Sequence, residues 1–115
     1  MESSLRKYMR KGGSMVCFEK RGGRLTVFLE GELDHRSAAS MRAEIDNQLR
    51  DRRVMELVID LGGISFMDSS GIGLVLGRYK IMAQRGGVVR VSRPDPRTDK
   101  LFGLSGVYNL VERMA

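Results

Sequence analysis

A chain of 115 residues with 42% apolar and 30% charged side chains has the make-up of one soluble domain around a single core, and is too short for two. No apolar run reaches the roughly 18 residues that a membrane helix needs, no apolar segment follows the basic N-terminus as in a secretory signal peptide, and the lone Cys17 leaves no internal disulfide; a cytoplasmic, non-membrane protein is expected. One histidine and one cysteine cannot assemble the usual zinc sets, so neither a metal nor another cofactor is expected. Half of the net charge of +6 sits in the first 14 residues, which argues against a nucleic-acid-binding surface on the domain itself.

Met1 to Ser14 mixes Arg6, Lys7, Arg10 and Lys11 with few large apolar residues and closes on Gly12-Gly13-Ser14, which predicts a flexible basic arm before a domain spanning 15–115. The β-favouring runs Val16 to Lys20 and Leu25 to Glu30 flank Arg21-Gly22-Gly23-Arg24, a pattern that predicts an antiparallel hairpin. Ala38, Met41, Ile45 and Leu49 then recur at helical spacing with charged residues between them. Leu57 to Leu61 is a continuous apolar run of the kind found in the middle of a sheet, and it leads into Asp68-Ser69-Ser70 at the mouth of a second helix. That helix places Ile72, Val75, Leu76, Tyr79, Met82 and Ala83 on one face and stops at Gly86-Gly87, ahead of a strand Val88 to Ser92. Pro94-Asp95-Pro96 opens a short last helix through Phe102, and Val107 to Val111 is the final apolar stretch. The expected architecture is an α/β sandwich in the order β-β-α-β-α-β-α-β, with a mixed sheet of four to five strands and helices mainly on one face.

The Asp68-Ser69-Ser70 segment is where function is expected. A serine at a helix N-terminus lies beside unpaired N–H groups and the positive end of the macrodipole, so an added phosphate would meet favourable electrostatics. The bland reading is that Asp68, Ser69 or Ser70 merely caps the helix. Gly71, Gly73 and Gly77 would each weaken a helix by about 1 kcal/mol relative to Ala, which suits either tight packing on the chain's own sheet or a bare surface for a partner. On a helical wheel Gly73, Gly77, Lys80 and Gln84 form one exposed stripe, and Leu74, Arg78, Ile81 and Arg85 a neighbouring one. A serine-hydrolase reading would have to recruit His35, yet Asp-Ser-Ser-Gly is not the Gly-x-Ser-x-Gly elbow. Gly71 to Gly77 lacks the Lys-Ser/Thr ending of a phosphate-binding loop.

Two segments carry a resemblance. Gly31-Glu32-Leu33-Asp34-His35 and Phe66-Met67-Asp68-Ser69-Ser70-Gly71-Ile72-Gly73 through Lys80 are similar to the anti-sigma factor antagonists of the STAS domain family, above all its sporulation branch, over about residues 15 to 113. The resemblance implies a non-enzymatic partner-switching protein that controls transcription. Unphosphorylated, it binds an anti-sigma factor that is also a serine kinase, with ADP or ATP on the kinase, and frees a sigma factor. Phosphorylation of Ser69 ends the interaction until a serine phosphatase reverses it. Glu32, Asp34, Asp68, Ser70, Gly71, Gly73 and Arg78 are the residues expected to face the partner. The other class of function the same serine allows is a small-ligand or nucleotide-binding module, or a small serine-dependent enzyme.

Overall fold

The computed structural model describes residues 3–9 and 13–114. Six strands form one mixed sheet: β1 (Ser3–Met9), β2 (Met15–Arg21), β3 (Arg24–Leu33), β4 (Glu56–Met67), β5 (Val88–Ser92) and β6 (Glu112–Arg113). Their order across the sheet is their order along the chain. β1, β2 and β3 pair antiparallel, the last two through the tight turn at Gly22-Gly23, where Gly22 takes the positive φ of 59° that favours glycine. From β3 onward each neighbour is parallel and is reached by a helical crossover: α1 (His35–Gln48), α2 (Ser69–Gln84) and α3 (Pro96–Ser105), the last followed by a 3-10 turn at Val107–Asn109.

Right-handed crossovers that always step in the same direction place all three helices on one face. The alternation along the strands agrees. Val16 and Phe18, then Leu25, Val27 and Leu29, then Leu57, Ile59 and Leu61, then Val89 and Val91 point into a core shared with Ala38, Met41, Ile45, Val75, Met82 and Phe102. The opposite face carries charge: Arg24 and Arg90 both pair with Glu56, and Arg90 also reaches Glu112. A parallel sheet normally needs cover on both sides; here the helix-free face sets the ion pairs around Glu56 beside the buried Cys17 and Val58.

The element order after Ser14 and the one-sided helices are as the sequence predicts. Three expectations are corrected. The expected flexible arm contains a seven-residue strand, Ser3–Met9, in register with β2 from Ser3 opposite Arg21 to Met9 opposite Met15, which takes the sheet to six strands. An edge strand is held by backbone hydrogen bonds on one side and tolerates basic residues, so no apolar alternation announced it. The final strand is Glu112–Arg113 and not the apolar stretch before it, because Val107 and Val111 anchor a 3-10 turn into the core. The buried stripe of α2 is Gly71, Leu74, Val75, Arg78 and Met82; Ala83 is exposed, and Ile72, Leu76 and Tyr79 lie at its margin.

Candidate functional site

β3 and β4 end side by side, with Leu33 opposite Met67, and the Asp68 N–H donates to the Leu33 carbonyl at 3.2 Å. The next residue on each strand is an aspartate that caps a helix. Asp34 accepts the N–H groups of Arg36 at 3.0 Å and Ser37 at 2.9 Å, while its own N–H donates to the Ser37 hydroxyl, closing a capping box. The Ser37 N–H holds the Asp34 carboxyl below the usual carboxylate range, against the opposing effect of burial, with further help from the Ser37 hydroxyl and the Arg36 N–H. The hydroxyls of Ser37 and Ser14 both donate to the Glu32 carbonyl, at 2.6 and 3.1 Å, so the backbone is pinned while the Glu32 side chain remains exposed. Gly31 has φ of 93°, and a Cβ there would come within 3.0 Å of Ser14 Cα.

Asp68 repeats the capping on α2 by accepting the Ser70 N–H at 2.8 Å. Ser69, the first residue of the helix, is exposed, and its hydroxyl has no hydrogen-bond partner among the described residues; Ser70 is half-buried. The positive end of a 16-residue helix with no acidic residue in its first turn therefore lies at an open hydroxyl. His35, also exposed, begins α1 and makes no hydrogen bond to Ser69 among the described residues.

The approach to this loop is shaped by irregular pairing. Relative to β3, β4 carries one extra residue between Asp60 and Gly63 and another between Ile64 and Phe66. At the first bulge Asp60, only 6% exposed, receives Arg93 through Nε and Nη2, both at 2.9 Å, the Ser92 hydroxyl at 2.7 Å and the Gly62 N–H at 2.9 Å. Burial alone would push the Asp60 carboxyl up; these donors outweigh it and hold it below its ordinary value. Arg93 adopts a positive φ of 52° to reach over the strand, and a Cβ on Gly62 would lie 2.4 Å from its guanidinium carbon. Sequence reading passed over this clamp, although a lone acid inside the apolar run 57–61 was a signal that something must pair with it.

The structure brings together Glu32, Asp34, Asp68, Ser69 and Ser70 at the C-terminal ends of the two central strands. Gly73 and Gly77 face open space with no atom within 4 Å of an added Cβ, and with Lys80 and Gln84 they form an accessible stripe. Two residues expected to face a partner are buried within the chain. Gly71 is buried, and a Cβ there would lie 2.3 Å from Met67 Sδ, so it serves packing within the chain. Arg78, expected on an exposed stripe, is 5% exposed, with Nε 2.8 Å from Asp46 of α1 and Nη1 donating to the Leu74 carbonyl at 3.3 Å. The Nε–H is not aimed along the line to the Asp46 oxygen, so that contact is an ion pair and not a hydrogen bond. Burial pushes the Arg78 guanidinium down from its ordinary value despite Asp46. Arg85 on the same stripe donates to the carbonyls of Leu49, Asp51 and Val54, fastening the end of α2 to the turn after α1.

Two parallel strands ending in a pair of acid-capped helices, with an open serine at the head of the second, match the STAS domain family model over residues 16–114, and the chain belongs to that family. Within it, the chain is similar to an anti-sigma F factor antagonist of Paenibacillus polymyxa, 38% identical over 84% of this chain and 82% of that one. Its fold is similar to that of the anti-sigma factor antagonist SpoIIAA in the unphosphorylated form, with a TM-score of 0.69 and 27% identity over 97% of this chain and 88% of that one. The phosphorylated form of the Bacillus cell fate determinant SpoIIAA gives a TM-score of 0.68 and 28% identity over 97% of this chain and 92% of that one.

Proposed function

We propose that this chain is an anti-sigma factor antagonist that works by partner switching, with Ser69 as its phosphoacceptor. The observation that carries the reading is the contrast between neighbouring serines: Ser69 is open at the helix start, and Ser70 is half-buried behind the Asp68 cap. Relatives called anti-sigma factor antagonists, one of them solved with and without phosphate, support it.

In the unphosphorylated state Glu32, Asp34, Asp68, Ser70 and Gly73 offer a surface to an anti-sigma factor serine kinase carrying ADP or ATP, and a sigma factor is released in the cytoplasm, sporulation being the programme that the relatives suggest. With ATP on the kinase, Ser69 Oγ attacks the γ-phosphorus. The bond to the ADP oxygen breaks, and the hydroxyl proton passes to a base on the kinase. The product adds about 1.5 to 2 negative charges at the centre of the contact. The α2 N-terminus accommodates that charge locally. A partner surface fitted to a neutral hydroxyl does not, and Asp34 and Asp68 add repulsion. The complex dissociates until a serine phosphatase hydrolyses the ester.

The test is mass spectrometry after incubation with ATP and the anti-sigma factor kinase of the same organism. One phosphate is expected on Ser69, none on a Ser69→Ala variant, and an unchanged yield on Ser70→Ala. Labelling that survived Ser69→Ala and vanished in a folded Ser70→Ala variant would overturn the assignment.

A further inference from the structure

Beside the phosphoacceptor loop lies a groove of about 350 Å³ between the end of β4 and α3. Phe66 and Met67 form one wall, Leu101 and Leu104 the other, with Arg97 and Lys100 on the α3 side. Phe66 is 42% exposed and Leu104 78%, although the core below is complete without them. Exposed apolar surface in a rimmed concavity is the signature of a docking site. Asp95, at one end, is committed to capping α3 through the Thr98 N–H at 2.7 Å. Arg97 and Lys100 have no carboxylate partner among the described residues, so the groove combines an apolar floor with two uncommitted cations.

We infer that this groove is a second docking point for the anti-sigma factor, receiving a segment of that protein that carries an aliphatic or aromatic side chain next to a carboxylate. The inference rests on the partner-switching reading and deepens it. Continuity places the two contacts together: Phe66 and Met67 lead directly into Asp68 and Ser69, so a protein surface that covers the Ser69 hydroxyl adjoins the groove. Charge selects the occupant. A second copy docking here about a two-fold axis would set Arg97 and Lys100 against their own equivalents, whereas an acidic segment neutralises both. The groove also separates grip from switching, since its contacts do not depend on the state of Ser69.

The probe is the purified ADP-bound anti-sigma factor of the same organism, titrated against wild-type protein, Leu104→Ser, Lys100→Glu and Ser69→Glu. Leu104→Ser and Lys100→Glu are each expected to raise Kd about tenfold, as for central interface side chains, with the Lys100→Glu effect shrinking as salt rises. Both positions are exposed, so melting temperatures should match wild type, and Lys100→Glu keeps the test valid should Leu104→Ser unfold. Wild-type affinity for both groove variants, alongside weakened binding by Ser69→Glu, would remove the groove and leave the proposed function standing. A wild-type protein that fails to bind the anti-sigma factor at all would remove both. A wild-type dimer in sedimentation that Leu104→Ser dissolves would assign the groove to a second copy and overturn the inference.

Discussion

Replacing the α2 glycines one at a time should separate stability from partner binding. In a helix interior Gly is less favourable than Ala by about 1 kcal/mol, because it surrenders more backbone freedom on folding. At Gly73 and Gly77 nothing lies within 4 Å of the added methyl, so that gain meets no steric opposition. Gly73→Ala and Gly77→Ala should each stabilise the domain by about 1 kcal/mol, or about 4 °C in melting temperature for a chain of this size, and the pair should come close to additive. At Gly71 the methyl would sit 2.3 Å from Met67 Sδ, 2.6 Å from Met67 Cγ and 3.2 Å from Leu33 Cδ2. Met67 must swing away, and an overpacking penalty of about 1–3 kcal/mol cancels or outweighs the propensity gain. The expected ranking in urea or thermal denaturation is Gly73→Ala and Gly77→Ala above wild type, with Gly71→Ala at or below it. If the open stripe faces the anti-sigma factor, Gly73→Ala should bind it more weakly while being the more stable protein. A Gly73→Ala variant less stable than wild type would refute the reasoning, because it would show that the methyl meets structure rather than solvent.

Three further outcomes follow from other parts of the fold. Arg78→Ala should destabilise by about 2 kcal/mol, below the roughly 3–5 kcal/mol for breaking a fully buried pair because Asp46 retains access to water, and leave anti-sigma factor affinity at equal folded concentration unchanged; a selective loss of binding would return Arg78 to the interface. Arg93→Ala should be less stable than wild type at neutral pH, with the gap closing on acidification when unfolding is followed by circular dichroism. With its folded pKa depressed, Asp60 contributes stability above its unfolded value of about 3.9 and loses it as pH falls through the lower folded value; without Arg93 the depression shrinks and less stability is there to lose, so a gap that stayed constant down to low pH would deny the clamp its role. Deleting residues 1–9 should increase hydrogen exchange at the β2 amides that face β1, and unchanged protection would show that the strand adds nothing to the sheet.

What could be read from the sequence, and what could not, follows from the physics of each signal. The α1 stripe of Ala38, Met41, Ile45 and Leu49 was legible because one apolar face at period 3.6 has a single way to pack, and all four residues are buried. The serine loop was legible because an apolar strand, an acid cap and a helix start follow one another along the chain from Leu57 to Ser69. Around α2 the periodicity failed. With glycines and apolar residues on most sides, the wheel could not tell Arg78 in a stripe against α1 from an arginine in solvent, since only tertiary contact supplies Asp46. The glycines were ambiguous for the same reason: Gly71 lies against Met67, while Gly73, two residues later, lies against nothing. β1 was invisible because an edge strand needs a neighbour and not a pattern. The Asp60–Arg93 clamp spans 33 positions and a bulge, beyond any local reading.

The identity of chain order and sheet order bears on how the molecule is made. Each strand pairs with the one synthesised just before it, so assembly can advance along the nascent chain with no gap left for a later strand to enter. The junction of Leu33 with Asp68 forms as soon as β4 settles against β3, when β5, α3 and β6 are still to come. The phosphoacceptor corner is thus in place before the groove beside it, which is completed only when α3 closes over Phe66 and Met67. A chain arrested after α2 would carry the serine in its turn and lack one wall of the surface proposed to hold the partner.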